Sequence, residues 1–121
     1  MSMDYWGVVM YGIEETEIPF KEGLAEDYYG GLEYIFDTVY DNEYEICISL
    51  PSGKNVRLIR ESTEENEFLG FSACYPWQKV AQGITQEDVE NAIWAVLEPY
   101  VTCTQKELVE KINYINTYNC G

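Results

Sequence analysis

Tyr44-Glu-Ile-Cys-Ile-Ser-Leu-Pro-Ser-Gly-Lys-Asn-Val-Arg-Leu-Ile-Arg60 is the stretch on which the fold turns. Tyr44, Ile46, Ile48 and Leu50 alternate with Glu43, Glu45, Cys47 and Ser49. A period of two sends successive side chains to opposite faces, so the pattern predicts a strand with one buried face. Pro51-Ser-Gly-Lys54 has the composition of a turn, and Val56 to Arg60 behind it predicts the second arm of a hairpin.

Upstream, the apolar positions Leu24, Tyr28, Leu32, Ile35, Phe36, Val39 and Tyr40 fall three and four apart, which predicts a helix. Gly30-Gly31 interrupts it, so the helix is expected to start afresh at Leu32. Further upstream, Val8 to Ile13 is a short apolar run between Gly7 and the acids Glu14 and Glu15, as in a buried strand, and Pro19 ends that region. Downstream, Phe68 to Tyr75 follows the acidic loop Glu61 to Glu67 and predicts another strand, ended by Pro76. Thr85-Gln-Glu-Asp88 and Thr104-Gln-Lys-Glu107 have the spacing of capping boxes. Val89, Ala92, Ile93, Val96 and Leu97 supply the first apolar stripe, and Leu108, Ile112 and Ile115 the second. The expectation is one α+β domain over residues 1–121, with a mainly antiparallel sheet of about four strands. About three helices pack on it, the last two at the C-terminus.

The 121 residues hold 22 Asp and Glu against seven Lys and Arg, a formal charge of −15, with no His. At 46% hydrophobic and 15% aromatic, the chain is too rich in core-forming residues to be a disordered acidic tail. A charge this far from zero opposes compaction by self-repulsion. The excess is uneven: residues 1–45 carry twelve acids and only Lys21, whereas Phe68 to Gly121 carries six acids and three lysines. On a regular helix Glu33, Asp37 and Asp41 would recur about every 6 Å along one face, with Glu22 and Glu26 extending the row. On a strand Asp41, Glu43 and Glu45 would recur about every 6.8 Å. Both intervals are near the spacing of successive phosphates along a nucleic-acid strand. With the loop acids Glu61, Glu64, Glu65 and Glu67, and with Tyr29 and Tyr34 beside the acids, these residues form the candidate partner-binding set. Tyr28, Tyr40 and Tyr44 fall on apolar faces and are expected to be structural.

Catalysis is not expected. Acid–base chemistry at neutral pH usually recruits His, and a Cys nucleophile would lack its usual base. Asp41-Asn-Glu-Tyr-Glu45 has Ile46 where a calcium loop needs Gly, and no phosphate-binding Gly motif occurs, so no metal and no cofactor is expected. Cys47, Cys74, Cys103 and Cys120 form no C-x-x-C pair and are expected to be reduced and mostly buried, a Cys103–Cys120 bridge being the one alternative. With no apolar run of about 18 residues and no signal-like start, a cytoplasmic, monomeric protein is expected.

In size and charge the chain resembles the small, acidic, single-domain proteins of phages and mobile elements that mimic nucleic acid, many anti-CRISPR inhibitors among them. Its opening Tyr5-Trp-Gly-Val-Val-Met-Tyr-Gly-Ile13 is similar to the start of small phage-borne proteins. The resemblance implies an inhibitor whose partner is the basic groove of a nucleic-acid-binding protein or nuclease, with no direct contact to nucleic acid or membrane. Two other classes compete: a module that binds protein through Trp6, Tyr34 or Trp77, and a structural or assembly subunit that self-associates.

Overall fold

The computed structural model describes residues 9–24, 30–72 and 83–117. Among these residues, five strands form one antiparallel sheet: β1 (Val9–Glu14), β2 (Glu45–Ser49), β3 (Asn55–Ser62), β4 (Glu67–Ser72) and β5 (Asn113–Asn116), in the order β2-β3-β4-β1-β5. The hairpin closes as its turn residues require. The Leu50 N–H donates to the Lys54 carbonyl at 2.8 Å, the Gly53 N–H donates to the Leu50 carbonyl at 2.9 Å, and Gly53 takes a φ of 93°. That left-handed value favours glycine.

Helix α2 (Gln86–Leu97) covers one face of the sheet and touches β1 to β4. All five residues of its predicted stripe, Val89, Ala92, Ile93, Val96 and Leu97, are buried. They meet Ile46, Val56, Leu58, Leu69, Ile13 and Tyr11 from the sheet and Leu32, Ile35 and Phe36 from the helical segment near the start of the chain. Burying a side chain of this size contributes about 1.5–3 kcal/mol, so this single layer interface accounts for the fold. Both capping boxes are present in full, with Thr85 and Asp88, and Thr104 and Glu107, exchanging side-chain and backbone hydrogen bonds.

The opposite face carries a smaller cluster of Met10 and Phe68, joined by Ile59 and Ile115. Gly12 lies opposite Gly70 in the β1–β4 register. A Cβ on Gly70 would sit 2.5 Å from the Tyr11 carbonyl oxygen and 2.7 Å from the Met10 sulfur. Only two glycines permit this approach of the strands and let Met10 lie across the furrow.

Four expectations are corrected. The last helix, α3 (Gln105–Val109), is a single turn beyond its cap, and Ile115 belongs not to it but to β5, opposite Met10 of β1. Asn113-Tyr-Ile-Asn116 contains two poor helix formers and two good strand formers, and edge pairing with β1 outweighs the three-and-four spacing. Second, the helix from Gly31 is α-helical only over α1 (Gly31–Tyr34); Ile35–Val39 continues as a π-helical turn, closed by a hydrogen bond of 3.2 Å from the Tyr40 N–H to the Ile35 carbonyl. The wider turn rotates Val39 out to 44% exposure. Third, Tyr44 is not structural: it is 69% exposed, just ahead of β2. Fourth, Cys47 is likewise exposed rather than buried, and Cys103 is a half-buried free thiol. Its candidate partner Cys120 lies outside the described residues, as do Cys74, Trp6, Trp77, Glu26, Tyr28, Tyr29, Tyr5 to Val8 and the expected end of β4 at Tyr75.

Candidate functional site

Antiparallel register gathers the carboxylates. β2 and β4 begin, and β1 and β3 end, at the same end of the sheet, because Glu45 pairs with Ile59, Ser62 with Glu67, and Glu14 with Phe68. Glu14 is therefore brought to the same rim as Glu43, Glu45, Glu61 and Glu67, with Glu64 and Glu65 in the loop between β3 and β4 and Glu15 and Glu17 in the 3₁₀ turn after β1. The α1–π segment is tied to this rim at both of its ends. At its start the Leu32 N–H donates to the Glu15 carboxylate at 3.1 Å. At its exit the Asn42 N–H donates to the Phe36 carbonyl at 3.0 Å, and the Asn42 side-chain oxygen accepts from the N–H groups of Tyr44 and Glu45 at 3.0 and 3.1 Å.

Asp37 and Asp41 are thus added to the rim, though not as the even stripe expected. The π turn breaks the four-residue interval after Glu33, and Asp41 follows the helix with a φ of 52°. Asp41 to Tyr44 is a turn and not the first part of a strand. Glu22 is exposed in the turn after Phe20, whose ring packs against Gly31.

The charge is partly relieved from within. Arg57 bonds the Glu45 carboxylate with Nε at 2.7 Å. Arg60 bonds Glu67 at 2.7 Å, donates to the Glu43 carbonyl at 3.3 Å and lies 6.0 Å from the centre of the Phe36 ring. Lys111 reaches Glu17 at 3.6 Å. Two of the predicted partner-binding acids, Glu45 and Glu67, are therefore already ion-paired. Asp37, Asp41, Glu43, Glu61, Glu64 and Glu65 are exposed and form no ion pair among the described residues. Tyr34 is half-buried with its ring edge-on to Tyr100 at 6.2 Å, a packing contact.

One residue of this end carries no spacing signal. Glu15 is half-buried, and burial raises its carboxyl above the ordinary range; the Leu32 N–H opposes the rise, Glu67 adds to it, Arg60 opposes it and Glu33 adds again. It serves as a remote cap, since Gly30 has no side chain to offer the helix. A Cβ on Gly30 would sit 2.5 Å from one Glu15 carboxylate oxygen. Seventeen residues separate Glu15 from Leu32, so local pattern could not have found the pair.

The other end of the sheet differs in kind. Lys54 of the hairpin turn bonds Asp88 at 2.9 Å and the Gly83 carbonyl at 3.0 Å, clamping the turn onto the N-terminus of α2. Asp88 also accepts the Thr85 N–H, and this bond, followed by Lys54, holds its carboxyl below the usual range.

Two open clefts flank the acidic end. One, of about 570 Å³, lies on the open face among Gly12, Glu14, Glu17, Phe68, Lys111 and Asn113. The other, of about 430 Å³, runs along Tyr44, Glu45, Arg57, Arg60 and Glu61. Among the described residues no group of His, Cys, Asp and Glu is disposed to hold a metal ion, and no helix is long and apolar enough to cross a membrane. No family model, curated protein or solved structure matches the chain.

Proposed function

We propose that the chain is a non-enzymatic acidic inhibitor whose carboxylate-rich end mimics a nucleic-acid backbone and occupies the basic groove of a nucleic-acid-binding protein or nuclease in the cytoplasm. The observation that carries this reading is the gathering of Asp37, Asp41, Glu43, Glu61, Glu64 and Glu65 at one end of the sheet without internal ion pairs. Such an end repels nucleic acid and steers a basic groove toward itself, with association that weakens as salt rises. Arg57 and Arg60 lie inside the acidic end and pair with Glu45 and Glu67, which ties the strand ends behind the unpaired acids together. The test is capture of proteins from a bacterial lysate at low and high salt, with identification by mass spectrometry. Recovery of nucleic-acid-binding proteins at low salt and their loss at high salt is the expected result. Salt-independent partners that bind no nucleic acid would overturn it.

The exposed Tyr44 ring favours a second reading, a protein-interaction module that binds through aromatic contact. There Tyr44→Ala would abolish capture while charge reversal at Glu43 and Glu61 would leave it intact.

A further inference from the structure

Strand β2 ends the sheet, with β3 on one side and no strand on the other among the described residues. Its ladder fixes which backbone groups point outward. The Arg60 N–H donates to the Tyr44 carbonyl at 2.7 Å and the Leu50 N–H to the Lys54 carbonyl, so Tyr44, Ile46, Ile48 and Leu50 hold the positions bonded to β3. Glu45, Cys47 and Ser49 turn their N–H and carbonyl groups the other way. The Glu45 N–H is taken by Asn42. The outward backbone groups of Cys47 and Ser49 have no partner among the described residues.

Edges of this kind template further pairing and are usually blunted by Pro, Lys or a bulge. β2 has none of these: it reads Glu-Ile-Cys-Ile-Ser, in unbroken register with β3. We propose that the free edge of β2 receives an extended segment of a partner protein as a sixth strand, in which Arg or Lys is interspersed among apolar residues. The strand already paired with β2 shows what fits. β3 sets Arg57 opposite Cys47 with its guanidinium on Glu45, while Val56 and Leu58 face Ile48 and Ile46 on the core side. A strand added on the outer side meets the same two rows, Glu45 and Cys47 on the open face and Ile46 and Ile48 on the other. Charge complementarity selects the basic segment over a second copy, which would bring together two chains of −15. The inference goes beyond the groove reading, because it needs backbone pairing and can fail or hold independently of salt-dependent capture.

The test uses the octapeptide Asn-Val-Arg-Leu-Ile-Arg-Glu-Ser, which copies β3, and hydrogen exchange of the isotope-labelled full chain. In the free chain the Cys47 and Ser49 amides exchange at least about tenfold faster than those of Ile46 and Ile48, since only the latter are bonded within the sheet. Added peptide slows Cys47 and Ser49 by at least about tenfold and leaves the β3 amides unchanged. A peptide with both Arg replaced by Glu binds at least about tenfold more weakly. A peptide N-methylated on alternate residues, with its donors to β2 removed, gives no protection. Cys47→Pro removes one outward donor without touching the β2–β3 ladder and loses binding; should that variant not fold, the N-methylated peptide carries the test on the unaltered chain. Exchange at Cys47 and Ser49 that the peptide does not slow, equal binding of the N-methylated peptide, or protection by self-association of the chain alone would each overturn the proposal.

Discussion

The two ends of the sheet solve opposite problems with the same residue types. At the hairpin-turn end, Asp88 is met by the Thr85 N–H and by Lys54, so its charge is stabilised and it locks a turn to a helix. At the other end, Glu15 is half-buried beside Glu67 and Glu33, and its charge is tolerated only because the Leu32 N–H and Arg60 oppose the rise. Both carboxylates accept a backbone N–H; at Asp88 that bond and Lys54 outweigh burial, whereas burial outweighs the donor that reaches Glu15, with Glu67 adding to the rise. An exposed rim of like charges without ion pairs among the described residues is the physical basis for proposing a partner there.

Substitutions separate the two ends by size of effect. Phe36, fully buried beneath Arg60 in the π turn, anchors the acidic end, and Phe36→Ala should cost about 3–5 kcal/mol in denaturant unfolding. At the turn end Thr85→Ala removes one cap and should cost about 1 kcal/mol by the same measurement. Equal costs would mean that the π segment is not packed as described.

The ends should also answer pH with opposite signs. A carboxyl raised in the folded state binds more protons there than in the unfolded chain, so its contribution falls as pH rises from the unfolded pKa through the folded one. Glu15→Gln keeps an oxygen for the Leu32 N–H and removes the buried charge. Its gain in melting temperature over the parent chain should be absent below the ordinary glutamate range and grow as pH rises toward neutrality. Asp88 is lowered, so its contribution is present above the unfolded pKa and disappears as pH falls through the folded one. Asp88→Asn should therefore lose most at neutral pH and little in acid. Melts of both variants across the acid range check the pair of signs. The smallest effect is salt: added NaCl should raise the stability of the parent chain by a few tenths of a kcal/mol, and less in Glu43→Lys/Glu61→Lys, because repulsion at the rim is what it screens.

Much of this contrast is legible in the residues, and the remainder has identifiable causes. The hairpin follows from period-two alternation and the Pro-Ser-Gly-Lys turn, and both caps follow from a threonine three residues ahead of an acid. These are local signals, and the fold keeps them. β5 is not local: Asn113 to Asn116 becomes a strand because Ile115 finds Met10, about a hundred residues earlier, across the β1 edge. The π turn is hidden for another reason, since three-and-four spacing serves both geometries until burial reports that Val39 has swung outward. At the acidic end, charge counting finds the acid-rich segments, but the ion pairs of Glu45 and Glu67 depend on register between strands, and the cap made by Glu15 on a contact seventeen residues away.

On the proposed function, the position of the charge, and not its amount, makes the binding end. This claim is tested by two variants that raise net charge by the same four units: Glu43→Lys/Glu61→Lys at the acidic rim, and Glu87→Lys/Ser52→Lys/Asn55→Lys at the turn end. Each is titrated at two salt concentrations against a basic protein recovered at low salt. The rim variant should lose at least about tenfold in affinity and much of the salt dependence, while the turn-end variant stays near the parent chain. Equal loss from both would contradict the claim and return the −15 to a bulk property.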